Sequence, residues 1–582
     1  MGYIIVLASP VFFGLIFIEW LWGMRRAKQG QAAAQTYRLD DAISSISLGI
    51  LSQISAIFTR VLRIGIYTLV FEQVALVRDD AWWSTWYGAL LALVVYDFCY
   101  YWFHRASHEV AVFWAGHAVH HQSQHYNLST ALRQSSAGAI SSWVFYLPMA
   151  LVGVPPLVFG IVALIDLLYQ YWVHTEHIGR LGGFDRWFCS PSNHRVHHAV
   201  NDKYLDRNYG GIWVVWDRLF GSFQEEDPQE PCVYGTRKAL NSWDPLWANL
   251  QMYASMLHDS WHTKRWQDKL RVFFHHPGWR PADVAKRFPV QPFQINNFPA
   301  FQPLQKPAVQ WWGAAWFVVL LSSASTVLWF MDGMVWGDAA TCVLAVAAGL
   351  WGVNAMLQNR LSPAMCAFVQ AAALATAANA CGWSQVYLWA KPLALLVLMV
   401  AAWQASAGMK GRAWLMAALA LSWSGDVLLM GEGLFVSGLV AFLLAHLSYI
   451  QLFRQDAPWL HSRRALAVCI SAAAVVFVGL DQNGLPSELR VQVAAYVLVI
   501  ATMAAQAWGR AKHLGTSASV WLAWGSASFM LSDTLLAIDK FVSPLPYAGL
   551  WVLATYYLAQ GLILRGVSRT FDDHKNGAKI LS

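Results

Sequence analysis

The fold class this sequence predicts is all-α: a polytopic integral membrane protein of about 15 transmembrane helices. Three observations predict it. Hydrophobic residues make up 57% of the 582 and charged residues 13%, at a mean hydropathy of +0.38, a balance that a soluble chain does not carry. Apolar stretches long enough to cross a bilayer recur from one end of the chain to the other. The 33 Trp suit aromatic belts at the two membrane interfaces. The net charge of +7 comes without any Lys/Arg-rich run, so it reads as basic cytoplasmic loops, and a nucleic-acid partner is not expected.

Residues 3 to 24 are apolar and are followed by Arg25, Arg26 and Lys28. Positive charge after the apolar run, with no small-residue cleavage site, predicts a retained first span whose C-terminal end is cytoplasmic. Residues 44 to 77 are too long for one crossing and include an interfacial part. Spans over 88 to 103, 138 to 153 and 157 to 173 follow, the last two joined by Pro155-Pro156. From 174 to 310 no stretch is long enough to cross. Within it, Trp247, Tyr253, Trp261 and Trp266 interleave with Lys264, Arg265, Lys269 and Arg271, as in helices lying in the headgroup layer. Spans near 311 to 331 and 338 to 357 close a first domain, 1 to 360. The second domain, 361 to 582, holds eight further apolar segments between 363 and 566. If each crosses once, Lys410, Arg412, Arg463, Arg464, Arg510, Lys512 and Arg565 all fall on the cytoplasmic side.

The chemistry gathers in histidines. His104 and His108 are four apart at the end of an apolar run, so on a helix both imidazoles share a face. His117, His120 and His121 form H-x-x-H-H, and His194, His197 and His198 repeat it. Eight imidazoles exceed what one tetrahedral zinc uses, and a two-metal site is the economical reading. No C-x-x-C pair exists among the seven cysteines to mark an iron–sulfur cluster or a structural zinc. By span parity the boxes face the cytoplasm.

At these residues the sequence resembles the fatty acid hydroxylase and sterol desaturase superfamily, and within it the alkylglycerol monooxygenase family. The matching text is H-R-A-S-H-E at 104 to 109, the block from His117 to Ser135, W-V-H-T-E at 172 to 176, S-P-S-N-H-R-V-H-H at 190 to 198, D-R-N-Y-G-G at 206 to 211 and W-D-R-L-F-G-S-F at 216 to 223. The resemblance implies a histidine-bound centre of two Fe ions and oxygenation of the ether carbon of a glyceryl ether. Electrons would come from tetrahydrobiopterin or another donor system. His174, within V-H-T-E, becomes a ninth ligand candidate. Glu109, next to His108, is a candidate catalytic carboxylate that orients a ligand or binds iron. His125 and His177 are expected to be supporting or merely polar, and His258, His262, His275 and His276 interfacial. Asn208, Tyr209, Gly210 and Gly211 are expected to shape a turn.

In the second domain, Lys391, Asp426, His446 and Asp533 are ionisable residues inside apolar spans, which marks them as functional candidates. Span parity sets Lys391, Asp426 and Asp533 at similar depth. Around them W-A-K-P-L, W-S-G-D-V-L-L-M, G-L-V-A-F-L-L-A-H-L-S-Y and M-L-S-D-T-L-L-A resemble the eight-span lysoplasmalogenase family. The resemblance implies hydrolysis of a vinyl ether, with Lys391, Asp426 and Asp533 catalytic. Such a bond yields when its β-carbon is protonated and water attacks the oxocarbenium ion, work suited to one protonated carboxyl and one ionised beside Lys391.

The function expected is therefore a membrane diiron oxygenase that cleaves glyceryl ether lipids, fused to a vinyl-ether hydrolase. The alternative is a sterol or fatty-acyl C–H hydroxylase or desaturase with a non-catalytic C-terminal bundle, since histidine boxes do not encode the substrate.

Overall fold

The computed structural model describes residues 2–30, 36–298 and 300–580, and no strand occurs among them. Between 174 and 245 the chain runs through turns and short helices, with two isolated bridges, Phe188 to Trp213 and Ala199 to Tyr234. The chain divides into two units: Met1–Asp332 with Val353–Arg360, and Gly333–Gly352 with Leu361–Ser582. The division falls inside one helix, Trp336–Leu357.

The first unit is built on α1 (Gly2–Lys28), α2 (Leu39–Arg60), α3 (Trp86–Glu109), α4 (Ala111–His121), α5 (Gly138–Leu151), α6 (Pro156–Trp172), α7 (Pro191–His198), α8 (Pro245–His262), α9 (Trp266–Phe274) and α10 (Pro307–Phe330). The 44 to 77 region is α2, a π turn at Val61–Gly65 and a short helix Ile66–Val74. Aromatic packing joins that short helix to α3, α5 and α6. Tyr67 stacks on Phe159 with ring centroids 4.1 Å apart, Tyr96 stacks on Tyr146 at 4.8 Å, and the Tyr67 hydroxyl donates to the Val154 carbonyl at 2.9 Å. Buried rings of this size contribute about 1.5–3 kcal/mol each.

A single extended residue, Val110, ends α3 and starts α4 at φ −121°, ψ 121°. This sharp corner turns the two histidine-bearing helices toward one another. It is braced from α9, where the His275 carbonyl accepts from Ala111 N at 2.9 Å. Beyond it α8 and α9 bury Met256 and Val272 against Ala111 and Ala115. They expose Trp247, Leu250, Leu257, Trp261, Trp266, Leu270 and Phe274. An apolar face with Lys264 and Arg265 between the helices is the pattern of a segment lying in the membrane interface.

The second unit holds α11 (Trp336–Leu357) up to Gly352, then α12 (Pro363–Ala380), α13 (Ser384–Ala405), α14 (Arg412–Leu428), α15 (Phe435–Phe453), α16 (Arg463–Gln482), α17 (Arg490–Leu514), α18 (Ser517–Phe541) and α19 (Ala548–Ile580). Its core runs through Leu395, Leu398, Leu415, Phe453, Leu522, Phe529 and Ile563. Small residues let helices close on one another, as membrane bundles require. A Cβ on Gly566 would stand 2.7 Å from the Ala518 carbonyl oxygen, so α18 and α19 touch backbone to backbone.

By length and composition, ten helices among the described residues are able to cross a membrane: α1, α2, α10 to α13, α15 to α17 and α19. That is fewer than the expected 15. Shorter apolar stretches lie at Ser142–Leu151 and Pro156–Trp172. Of the other helices expected to cross, α14 has only 17 residues, α3 carries Asp97, Arg105 and Glu109 beside its histidines, and α18 is serine-rich.

Candidate functional sites

Helical periodicity sorts the first unit's histidines. His117 and His121 are four apart and share a face of α4, and His120 lies off it; on α7, His194 and His198 share a face and His197 lies off it. Each H-x-x-H-H box is thereby split between two groups. One is His104, His108, His117, His121 and His197; the other is His120, His174, His194 and His198. Within each group the ligand atoms lie within 4.8 Å of one another. The groups adjoin, with the His121 and His198 rings stacked at 4.3 Å.

The main chain sets the rings. Carbonyls of Tyr209, Arg133, Gln170 and Arg207 lie 2.8, 2.9, 2.8 and 3.0 Å from Nδ1 of His104, His120, His174 and His197. A carbonyl only accepts, so these four rings carry hydrogen on Nδ1 and offer a lone pair at Nε2. Burial pushes His120 down to about 4 and holds His174 well below the ordinary imidazole value, so both are neutral near pH 7. Their Nε2 atoms nonetheless face each other at 3.1 Å, lone pair to lone pair. Similar Nε2 separations run from His117 to His104 and His121, 3.0 Å each, and from His194 to His174 and His198, 3.1 and 3.2 Å. Two nitrogens each about 2.1 Å from one ion at a right angle stand about 3 Å apart. Nε2 of His108 and of His197 is buried and has no hydrogen-bond partner. The donor set fits metal ions.

Glu109 lies in neither group; its side chain is 45% exposed and pairs with Arg105 at 2.9 Å. The carboxylate beside His108 is Asp206, 3.2 Å from its Nδ1 and 3.4 Å from the half-exposed His276. Burial pushes Asp206 up, yet the His108 contact and the charges of His108 and His276 hold it below the ordinary carboxylate range. Asp206 and Asn208 both take positive φ, 58° and 56°. The Asn208 amide donates to the Asn193 and Gln224 carbonyls, so this block does form the turn that delivers the carbonyls of Arg207 and Tyr209. His177 accepts from Arg26 at 3.0 Å, and His125, His258, His262 and His275 lie outside both groups.

Sequence reasoning passed over three further groups. Glu19, 7% exposed in α1, accepts from Thr175 at 2.5 Å, from Leu128 N at 2.9 Å and from Tyr37. A lone acid in an apolar span was the signal. Arg195, inside the third box, grips Glu226 through two nitrogens at 2.8 and 2.7 Å and donates to the carbonyls of Thr175 and Ile178. Burial alone would lower it, but Glu226 holds its guanidinium above its ordinary value. Asp97, buried, takes Ile212 N, Trp213 N and Trp216 Nε1, and a Cβ on Gly211 would meet both Asp97 and Asp166 within 2.8 Å.

The second unit encloses a cavity of about 430 Å³ lined by Lys391, Asp426, Asp533, Tyr387, Tyr496 and Tyr556 among apolar side chains. Lys391 Nζ is 3.4 Å from Asp426, which also accepts from Tyr556 at 2.8 Å. Asp533 accepts from Tyr496 at 2.5 Å and stands 20% exposed, against 3% for Asp426. Lys391, Asp426 and Asp533 thus share one chamber, and the charge partner of Lys391 is Asp426. His446, fully buried, lies behind Tyr496 and 3.6 Å from Asp533.

The fatty acid hydroxylase profile matches residues 89–222 and the YhhN family profile residues 386–567. An alkylglycerol monooxygenase of Homo sapiens is 40% identical over 280 residues, 47% of this chain and 60% of the relative. That of Danio rerio is 33% identical over 367 residues, 61% of this chain and 78% of the relative. A lysoplasmalogenase of Sus scrofa is 35% identical over 188 residues, 32% of this chain and 77% of the relative. The chain thus spans somewhat less than two thirds of the human monooxygenase. No solved structure matches.

Proposed function

Since the chain belongs to the alkylglycerol monooxygenase family through its first unit and to the YhhN and lysoplasmalogenase family through its second, we propose that it degrades ether lipids at two sites, one oxidative and one hydrolytic. We assign 1–360 to the first activity and 361–582 to the second. As an integral, multi-pass membrane protein it meets both substrates in the bilayer.

The observation that carries the oxidative reading is the pair of adjoining histidine groups with neutral imidazoles facing each other at 3.1 Å. In this reading His104, His108, His117, His121 and His197 hold one iron and His120, His174, His194 and His198 the other. When bound, the irons supply dioxygen activation, with electrons from tetrahydrobiopterin or another donor. The chain's own contribution is orientation. Four backbone carbonyls fix ring tautomers, Asp206 steadies His108, and Glu19 and Arg195 hold the segment that carries His174. Hydroxylation at the ether carbon of a glyceryl ether gives a hemiacetal, which falls apart to an aldehyde and a glycerol derivative. The boxes are assigned to the cytoplasmic face, on the charges of Arg25, Arg26 and Lys28.

For the hydrolytic site, Asp533 gives its proton to the β-carbon of a vinyl ether. Asp426, ionised beside Lys391, takes a proton from the water that adds to the α-carbon, and the resulting hemiacetal releases an aldehyde. The reading is supported by the shared chamber and by the unequal surroundings of its two carboxyls. The test is iron reconstitution in detergent, then product analysis with a 1-O-alkylglycerol, a lysoplasmalogen and a sterol, with and without tetrahydrobiopterin. About two irons per chain, with aldehyde from both ether lipids, is expected. Hydroxylation of the sterol alone would favour the hydroxylase alternative with a non-catalytic bundle.

A further inference from the structure

Behind the cavity of the second unit, one hydroxyl serves two partners. Tyr496 Oη lies 2.5 Å from Asp533 Oδ2 and 2.9 Å from His446 Nε2. It has one hydrogen to give. His446 is 0% exposed, boxed by Phe529 edge-on at 4.7 Å, and its Nδ1 meets no hydrogen-bond partner. A buried ring nitrogen without a partner is costly, and its persistence calls for a reason. Nothing at Nδ1 fixes the tautomer, so Nε2 is free to act as an acceptor.

Resting on the vinyl-ether hydrolase reading above, we infer that Tyr496 is a hydroxyl switch for Asp533 and that His446 is the acceptor on which it parks. With Asp533 protonated, the carboxyl O–H donates to the Tyr496 oxygen and Tyr496 donates to His446 Nε2. Asp533 then releases its proton to the β-carbon, where the vinyl π pair becomes the new C–H bond. Tyr496 swings its hydrogen from His446 to the new carboxylate. Tyr496 and His446 each end with the protons they began with; only the direction of one O–H changes. The switch thus hydrogen-bonds Asp533 in both of its states, where a fixed donor would favour the ionised form alone. Tyr496 and His446 are positioning residues, since neither passes a proton to substrate.

Three variants of the full chain in detergent test this with a lysoplasmalogen as probe. Tyr496→Phe removes the switch and should lower kcat about 10- to 100-fold, a share of what a positioned acid contributes, with KM within about twofold. His446→Leu removes the acceptor and should lower kcat about 10-fold. His446→Gln, whose amide oxygen reaches toward the place of Nε2, should regain most of that loss. In infrared difference spectra the carbonyl band of protonated Asp533, identified by its absence in Asp533→Asn, should shift in Tyr496→Phe; this readout does not depend on turnover. Equal loss in His446→Leu and His446→Gln would make the histidine a packing residue and overturn the switch. An unmoved band, or full kcat in Tyr496→Phe, would do the same. A wild-type chain that releases no aldehyde would instead remove the hydrolase reading itself.

Discussion

At the histidine centre, four imidazoles are aimed by backbone carbonyls, whether the carrier is long or short: α3 has 24 residues, α4 has 11 and α7 has 8. In the cavity of the second unit, Lys391, Asp426, Asp533 and Tyr496 are aimed by one another, from α13, α14, α18 and α17, helices of 17 to 25 residues. The first arrangement resists loss of a neighbouring side chain, because the main chain remains. The second does not, because every support is itself a side chain. The two sites should therefore fail differently.

The largest effect is expected from His120→Ala. It should abolish aldehyde release from an alkylglycerol and lower iron content, with lysoplasmalogen hydrolysis within about twofold of wild type. Loss of both activities in a folded, monodisperse variant would break the separation of the sites. Next comes Asp426→Asn, which should abolish hydrolysis and spare oxygenation. It also leaves the Lys391 ammonium, 7% exposed, without its partner, at a cost of about 3–5 kcal/mol. Lys391→Met combined with Asp426→Asn should restore the melting temperature while activity stays absent. A double variant no more stable than the single one would show that the pair carries no such burden. A smaller effect is expected from Asp206→Asn: iron affinity lower by about 10- to 100-fold in chelator competition, since the carbonyls that aim the other rings are untouched. The smallest is Glu109→Gln. Its exposed pair with Arg105 is worth at most about 1 kcal/mol, so iron content and oxygenase rate should hold within twofold; a tenfold fall would return Glu109 to the metal centre.

The histidine boxes are legible because their spacing is local. Offsets of three and four residues define a helix face before any tertiary structure exists. Which histidine joins which group is not legible, because His174 meets His120 and His194 only once α6, α4 and α7 are packed. Glu109 stands out through adjacency, yet one step along a helix turns a side chain by about 100°, away from His108. The carboxylate that does meet His108, Asp206, is 98 residues beyond it, in a turn whose positive φ no periodicity announces. In the second unit, charge inside apolar text picked out Lys391, Asp426, His446 and Asp533. Tyr496 and Tyr556 were passed over because a tyrosine in a span is ordinary until its hydroxyl is seen against a carboxylate. Some expected crossings do not stand out as such because polarity within a helix dilutes it: α18 is long enough but rich in serine.

Glu19 has a consequence for how the chain is made. Apart from Gly2 and Gly23, it is the one buried residue of α1. Of the groups that bind it in the finished protein, Tyr37 follows 18 residues later, but Leu128 follows 109 and Thr175 156 residues later. At about 5–20 residues per second of synthesis, the first helix waits roughly 8 to 30 s between the emergence of its carboxylate and that of Thr175. Through that interval the acid in this apolar segment lacks its full set of partners, with Thr175 the last to arrive, so α1 enters the membrane before it can be fully seated. Its docking is deferred to the moment the His174 segment appears, which ties the last placement of the first helix to the completion of the histidine centre.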